Sequence, residues 1–131
     1  MPEAVVAITG ASGAQYGVRL VDELLGAGWQ VSLIITSAGA INLDLECGIT
    51  PQDLGERDGV TLEDNDNLAA RSASGSARFD AYVVCPASGT TVGKIAAGIS
   101  DNLATRSALV ALKERRKLIV VPREAPVSTP H

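Results

Sequence analysis

A glycine-rich turn directly follows a short apolar run near the start of the chain, and this pairing most constrains the fold. The run is Ala4-Val5-Val6-Ala7, and the turn reads Ile8-Thr9-Gly10-Ala11-Ser12-Gly13-Ala14-Gln15-Tyr16-Gly17. Such a run, a glycine-rich turn and then a segment of helical period predict a strand, a phosphate loop and a helix. Glycines allow a tight turn, and the N–H groups that begin a helix attract anions. The turn therefore indicates either a phosphate-bearing ligand or a purely structural start to the helix.

The spacing of the glycines narrows the class of ligand. Gly10, Gly13 and Gly17 form G-x-x-G-x-x-x-G, which is neither the G-x-G-x-x-G of dinucleotide sites nor a Walker loop. The next apolar run, Trp29–Thr36, predicts a second strand, and neutral Ser37 follows where a nicotinamide site usually has an acid. Neutral hydroxyls favour a mononucleotide or a flavin, although Ser37 can equally be a helix N-cap.

Strand and helix patterns alternate along the rest of the chain. Four helices are predicted: Ala14–Leu25, Ala38–Leu45, a short one from about Val92, and Asn102–Arg116, which Asp101 or Ser100 caps. Thr50-Pro51-Gln52-Asp53 is a further helix start. Strands are predicted at Ala81–Cys85 and Lys117–Val121, with a turn at 86–91. The polar stretch Gly55–Arg78 predicts a loop that is mobile or covered by a partner.

This alternation predicts an α/β fold, a single domain with a three-layer Rossmann-like or flavodoxin-like parallel sheet and helices on both faces. Ligands of such sheets bind beyond the carboxyl ends of the strands. Candidate residues follow directly after four predicted strands: Gly10 to Gly13, Ser37, Ser88 to Thr91, and Arg123 with Glu124. Their convergence at one edge indicates a shared site.

Composition excludes several classes of partner. The formal net charge is −4, which argues against nucleic acid and anionic membrane surfaces. An apolar run long enough to span a membrane is absent from the sequence. Cys47 and Cys85 have no metal-binding spacing, and a reducing cytoplasm is the expected location.

Several charged residues are candidates for chemistry. Arg123 and Glu124 are either a solvated pair or an anion contact with a proton-transfer group. Arg106 and Lys113 lie seven residues apart, on one apolar stripe of the long predicted helix. They either extend to solvent from that stripe or reach a second anion or a neighbouring subunit. Glu46 is a lone acid among apolar residues.

Together these segments resemble the flavin prenyltransferase family, known as UbiX or Pad1. The resemblance covers nearly the whole chain and rests on the glycine-rich turn and three further segments: Cys85-Pro86-Ala87-Ser88-Gly89-Thr90-Thr91, Asp101-Asn102-Leu103-Ala104-Thr105-Arg106 running into Leu112-Lys113-Glu114-Arg115-Arg116, and Val121-Pro122-Arg123-Glu124-Ala125-Pro126. It implies a flavoprotein that transfers a dimethylallyl group from dimethylallyl phosphate to N5 and C6 of reduced FMN. It also implies a homo-oligomer whose prenylated FMN serves a UbiD-type decarboxylase.

The resemblance assigns roles residue by residue. It implies FMN binding by Gly10, Ala11, Ser12, Ser37, Ser88, Gly89, Thr90, Thr91 and Arg123. It implies catalytic roles for Glu46, Glu124 and Ser12, and prenyl-phosphate binding by Arg106 and Lys113, with no metal.

Family members continue beyond the segment that ends here at His131, so residues 1–131 are expected to be one FMN-binding domain truncated at its C-terminus. A non-catalytic FMN-binding or assembly module is therefore an alternative. Cysteine-type flavin decarboxylases use a histidine within the domain, and the only histidine here is His131. A nicotinamide reductase is disfavoured by the glycine spacing and by Ser37.

Overall fold

The computed structural model describes residues 1–122 of the chain. Within them, the chain forms five strands and five α-helices, with two α-helices between β2 and β3 and two between β4 and β5. The strands are β1 (Glu3–Ile8), β2 (Gln30–Ile35), β3 (Val60–Glu63), β4 (Ala81–Ala87) and β5 (Leu118–Pro122). The helices are α1 (Ala14–Gly26), α2 (Ser37–Asn42), α3 (Pro51–Gly55), α4 (Gly89–Ala97) and α5 (Leu103–Lys113), with a π-helical turn at Leu43–Cys47 and a 3₁₀ turn at Arg71–Ala73.

The five strands form one parallel sheet in the order β3-β2-β1-β4-β5. The chain builds outwards from β1 to β3, then returns to β4 on the other side of β1. In doubly wound sheets, ligands bind outside the carboxyl ends of the strands, at the point where the strand order reverses. Here that point lies between β1 and β4.

Alternate residues of the central strands supply two separate cores, because successive side chains of a strand point to opposite faces. Val6 and Ile8 of β1 pack in the core that includes Val21 of α1. Val5 and Ala7 pack in the other core, with Leu103 and further residues of α5. The predicted three-layer α/β fold with helices on both faces is therefore confirmed.

The prediction of a loop over Gly55–Arg78 was wrong for its first half. Val60–Glu63 forms strand β3 and pairs in parallel with β2, with Val60 opposite Val31. Beyond it, the carbonyl oxygen of Asn65 accepts a 2.8 Å hydrogen bond from Leu103 N, and its side-chain Oδ1 accepts one of 3.0 Å from Ala104 N. Val60-Thr61-Leu62-Glu63 does alternate between apolar and polar side chains, but the segment is only four residues long and lies within a polar stretch rich in Asp, Asn, Ser and Gly.

Two predicted helix caps were also wrong by one residue. Thr36, rather than Ser37, caps α2, and its hydroxyl accepts a hydrogen bond from Gly39 N at 3.0 Å. Asn102, rather than Asp101 or Ser100, caps α5 through Thr105 N. The N-cap is the last residue with extended backbone before the helix. Ser, Thr, Asp and Asn are all favoured at this position, so the sequence alone does not show which of several adjacent ones is the cap.

The helix after β4 begins earlier than predicted. Helix α4 starts at Gly89 rather than near Val92, because the hydroxyl of Ser88 accepts a hydrogen bond from Thr91 N. The long helix α5 ends at Lys113, three residues before the predicted Arg116.

Within residues 1–122, none of the helices combines the length and hydropathy needed to cross a membrane.

Gly10 is required by packing. A Cβ atom built at Gly10 would lie 2.3 Å from the Cβ atom of Ala38, well inside contact distance. The first turn of the chain can therefore rest directly on α2 only if one of the two residues lacks a side chain.

We expect Gly10→Ala to lower the free energy of unfolding by about 1–3 kcal/mol through overpacking. Ala38→Gly alone should cost about 1 kcal/mol, the difference in helix propensity. The double variant should be more stable than the sum of the two losses predicts, because the second change removes the colliding atom. Urea unfolding of all four proteins measures this coupling, and strictly additive losses would contradict the contact.

Candidate functional site

A cavity of about 290 Å³ opens at the carboxyl edge of the sheet, where the strand order reverses. We call it the edge cavity; it is lined by Gly10, Thr36, Ala38, Ser88, Thr90, Thr91, Lys94 and Asn102. Four of the predicted FMN-site residues, Gly10, Ser88, Thr90 and Thr91, therefore meet in one place. Sequence reasoning did not single out Thr36, Lys94 or Asn102 for this site.

The N-terminus of α4 supplies hydrogen-bonding groups on the β4 side of the edge cavity. The Ser88 hydroxyl accepts from Thr91 N at 3.1 Å and donates to Thr91 Oγ1 at 2.8 Å. Thr90 is exposed beside them. Hydroxyls and main-chain N–H groups at the start of a helix are suited to an oxyanion such as a phosphate.

Thr9 ties the two loops of the edge cavity together. Its hydroxyl donates a 2.7 Å hydrogen bond to the carbonyl oxygen of Pro86 and accepts one of 2.9 Å from Ser88 N. Its own N–H also donates to Pro86 O, at 3.2 Å. Thr9 is 1% exposed, so these bonds are protected from water. Sequence reasoning missed this role, although a polar residue directly after an apolar strand could have indicated it.

We expect Thr9→Val to lower the free energy of unfolding by about 1–3 kcal/mol, because Ser88 N loses its buried acceptor while the side-chain shape is kept. Thr9→Ser keeps the hydroxyl and removes one methyl group, so its loss should be smaller. Chemical unfolding measures both variants. A valine variant as stable as the wild type would show that the hydroxyl does not join the loops.

Glu46 caps the helix that follows the glycine-rich turn. Its Oε1 atom accepts hydrogen bonds from Gly13 N and Ala14 N, each of 2.9 Å. Gly13 has a φ of 106°, a left-handed conformation that favours glycine, and gives α1 no side-chain cap of its own. A carboxylate from the π-helical turn thus binds two donors that the sequence analysis offered to a phosphate. While these bonds are made, the N–H groups of Gly13 and Ala14 are not free to bind a ligand phosphate.

Glu46 also affects the neighbouring thiol. Burial, and to a lesser extent the negative charge of Glu46, raises the pKa of Cys47. Burial likewise raises the pKa of Cys85. Both thiols therefore stay protonated at neutral pH, a state unsuited to nucleophilic attack.

We expect Glu46→Ala to lower the free energy of unfolding by about 1 kcal/mol, as the loss of a helix cap does. Glu46→Gln should lose less, because its amide oxygen can still accept from both N–H groups. Asp44→Ala is the matched control, since Asp44 is an exposed acid on the same turn. Equal losses for Glu46→Ala and Asp44→Ala in thermal unfolding would exclude a specific cap.

The predicted FMN contacts Ala11, Ser12, Ser37 and Gly89 are placed at or near the same edge. Ser37 lines a neighbouring cavity of about 430 Å³, which also contains Thr36, Glu63, Asp64 and Asp66. Thr36 lines both cavities. Ser12 and Gly89 are exposed, whereas Ala11 is buried and its carbonyl oxygen accepts from Asn42 Nδ2 at 3.1 Å.

The two predicted prenyl-phosphate cations lie on α5 but are not among the described residues that line the edge cavity. Lys113 is exposed at the end of the helix, two turns or about 10 Å from Arg106. Arg106 is half-buried, and within residues 1–122 its buried Nε atom has no hydrogen-bond partner. An unpaired buried guanidinium nitrogen is compatible with an anion or a neighbouring chain outside these residues.

The remaining predicted site residues, Arg123 and Glu124, lie outside the described residues, as does His131. Among residues 1–122, no three His, Cys, Asp or Glu side chains are grouped so that they could hold a metal ion. The expectation that the reaction needs no metal stays a prediction.

Comparison with known proteins decides the family. The flavoprotein family model matches residues 2–128. The flavin prenyltransferase UbiX of Thermoplasma acidophilum is 46% identical over 125 residues, which are 95% of this chain and 68% of that protein. The chain belongs to the UbiX flavin prenyltransferase family. The resemblance stated from sequence motifs, to a family of transferases, is therefore confirmed.

Solved structures agree with this membership. AnUbiX (PadA1), crystallised with FMN and dimethylallyl pyrophosphate, matches with a TM-score of 0.91 at 34% identity, over 97% of this UbiX-family chain and 67% of that one. A dodecameric FMN-dependent UbiX-like decarboxylase from Escherichia coli O157:H7 matches with a TM-score of 0.91 at 36% identity, over 97% and 69% of the two chains. The chain spans about two thirds of the length of the curated relatives it matches.

The cysteine decarboxylase alternative shares only the fold. The FMN-dependent cysteine decarboxylase TvaF is 22% identical, with a TM-score of 0.76. A likeness at this identity shows the fold alone, whereas the UbiX relatives match at about twice that identity.

Proposed function

We propose that this chain is a flavin prenyltransferase, which transfers a dimethylallyl group from dimethylallyl phosphate to N5 and C6 of reduced FMN. The observation that carries the proposal is the edge cavity, which brings Gly10 together with Ser88, Thr90 and Thr91 at the strand reversal. The AnUbiX relative, crystallised with FMN and dimethylallyl pyrophosphate, supports FMN and a phosphorylated dimethylallyl donor as the ligands here.

The residues of the edge cavity fit the phosphate end of FMN. Ser88, Thr90 and the N–H groups at the start of α4 offer donors to an oxyanion. Gly10, Ala11 and Ser12 would border the ligand from the β1 side, and Ser37 from the adjoining cavity. Arg123, which follows β5 in the sequence, would supply a guanidinium contact.

The charged residues would have distinct roles in the proposed reaction. Bound FMN would supply the nucleophilic ring atoms. Arg106 and Lys113 would stabilise the phosphate that leaves the dimethylallyl group, because cations lower the energy of a departing oxyanion. Glu46, Glu124 and Ser12 would hold and move protons beside the flavin. In the structure the Glu46 carboxylate lies at the start of α1, where it accepts a hydrogen bond from Gly13, the residue that follows Ser12.

We further propose that residues 1–131 form one FMN-binding domain and that copies of this chain assemble into a homo-oligomer. A UbiD-type decarboxylase would receive the prenylated FMN. The dodecameric relative from Escherichia coli supports the oligomer. The free thiols Cys47 and Cys85 favour a reducing cytoplasm.

The activity test combines the purified chain, chemically reduced FMN and dimethylallyl phosphate without oxygen, followed by mass spectrometry of the released flavin. We expect a flavin heavier by one dimethylallyl group, with phosphate released in equal amount. Oxidised FMN with the same donor is the control and should give no product, because its N5 is not nucleophilic.

The same samples distinguish the proposed transferase from the alternative function. FMN uptake without any prenylated product would support a non-catalytic binding or assembly module instead. No uptake of FMN by the folded chain would contradict both functions.

A further inference from the structure

Lys94 is a cation of the edge cavity that the family resemblance did not assign. It lies one helical turn after Thr90 on α4, so both side chains are on the same face of the helix. Side chains of a helix lean towards its N-terminus, which directs Lys94 back along the cavity wall formed by Thr90. Both residues line the edge cavity.

Asp101 holds the ammonium group of Lys94. Lys94 Nζ lies 2.9 Å from Asp101 Oδ2 and 3.2 Å from Oδ1. Asp101 comes directly before Asn102, the cap of α5, and is not among the described residues that line the edge cavity. The Asp101 carboxylate therefore contacts Lys94 without itself lining the edge cavity.

The ammonium group keeps capacity for a ligand. A lysine has three N–H donors, and two contacts go to Asp101. The pair is partly exposed, at 31% for Lys94 and 54% for Asp101. Partly exposed pairs of this kind contribute little to stability, so sharing the ammonium group with a phosphate dianion costs little free energy.

We infer that Lys94 binds the phosphate group of FMN together with the start of α4, and thereby makes the site select FMN over riboflavin. This inference rests on the proposed function, since it assumes that FMN occupies the edge cavity. The ring system of the two flavins is the same, so only the phosphate can distinguish them at Lys94. A charge-assisted hydrogen bond to a phosphate is stronger than a neutral one, which gives the selection its physical basis.

The test measures dissociation constants of oxidised FMN and riboflavin for the full chain by quenching of flavin fluorescence. Lys94→Met should weaken FMN binding on the order of tenfold, as loss of a hydrogen bond between charged groups does, and leave riboflavin binding unchanged. Lys94→Arg should keep most of the preference for FMN. Lys117→Met is the matched control. It removes the same charge from an exposed lysine directly before β5, at the opposite edge of the sheet.

Each result has one meaning. A Lys94→Met variant with an unchanged ratio of FMN to riboflavin affinity overturns the inference and leaves the proposed function standing. Equal weakening of both flavins also overturns it, because Lys94 would then act on the ring or on the fold. A wild-type chain that binds neither flavin overturns the inference and the proposed function together. Circular dichroism at the temperature of the titration confirms that every variant is folded.

Discussion

The parallel pairing of β1 with β4 is the constraint on which the rest of the molecule depends. Both strands are buried on both faces, and their alternate side chains supply the two cores. The pair also marks where the strand order reverses, so the loops that leave β1 and β4 separate above it and open the edge cavity. Thr9 continues the pairing by three hydrogen bonds beyond the last ladder residues.

Four helices, α1, α2, α4 and α5, begin at this edge, and their N-termini are capped in different ways. The start of α1 is bound by the carboxylate of Glu46, and the start of α5 by both the main chain and the side chain of Asn65. The side-chain cap of α4 is its own neighbour Ser88. Helix α2 is likewise capped by its own neighbour, Thr36, but it has only six residues. Because the N-termini of α1 and α5 already hold partners from distant segments, the N-terminus of the nine-residue α4 is more available to a ligand anion. This division favours the β4 side of the cavity for the phosphate end of the proposed site.

The position of Glu46 links stability with the proposed chemistry. A carboxylate that caps a helix is fixed in place by two hydrogen bonds, yet Glu46 itself remains exposed. Such an arrangement orients the acid without burying it. The π-helical turn that carries Glu46 makes this reach possible, and turns of this kind are frequent at functional sites.

The sequence by itself determined the α/β class, the central strands and half of the residues that line the edge cavity, because apolar runs, helical periods and polar turns are local patterns. It did not determine β3, whose four residues become a strand only by pairing with β2. Nor did it determine that Glu46 binds Gly13, 33 residues away, or that Thr9 binds Ser88, 79 residues away. Those contacts, like the sharing of Lys94 between Asp101 and the cavity, follow from how distant segments are brought together by the sheet order. Only the tertiary structure could decide them, because a side chain's partner depends on its neighbours in space.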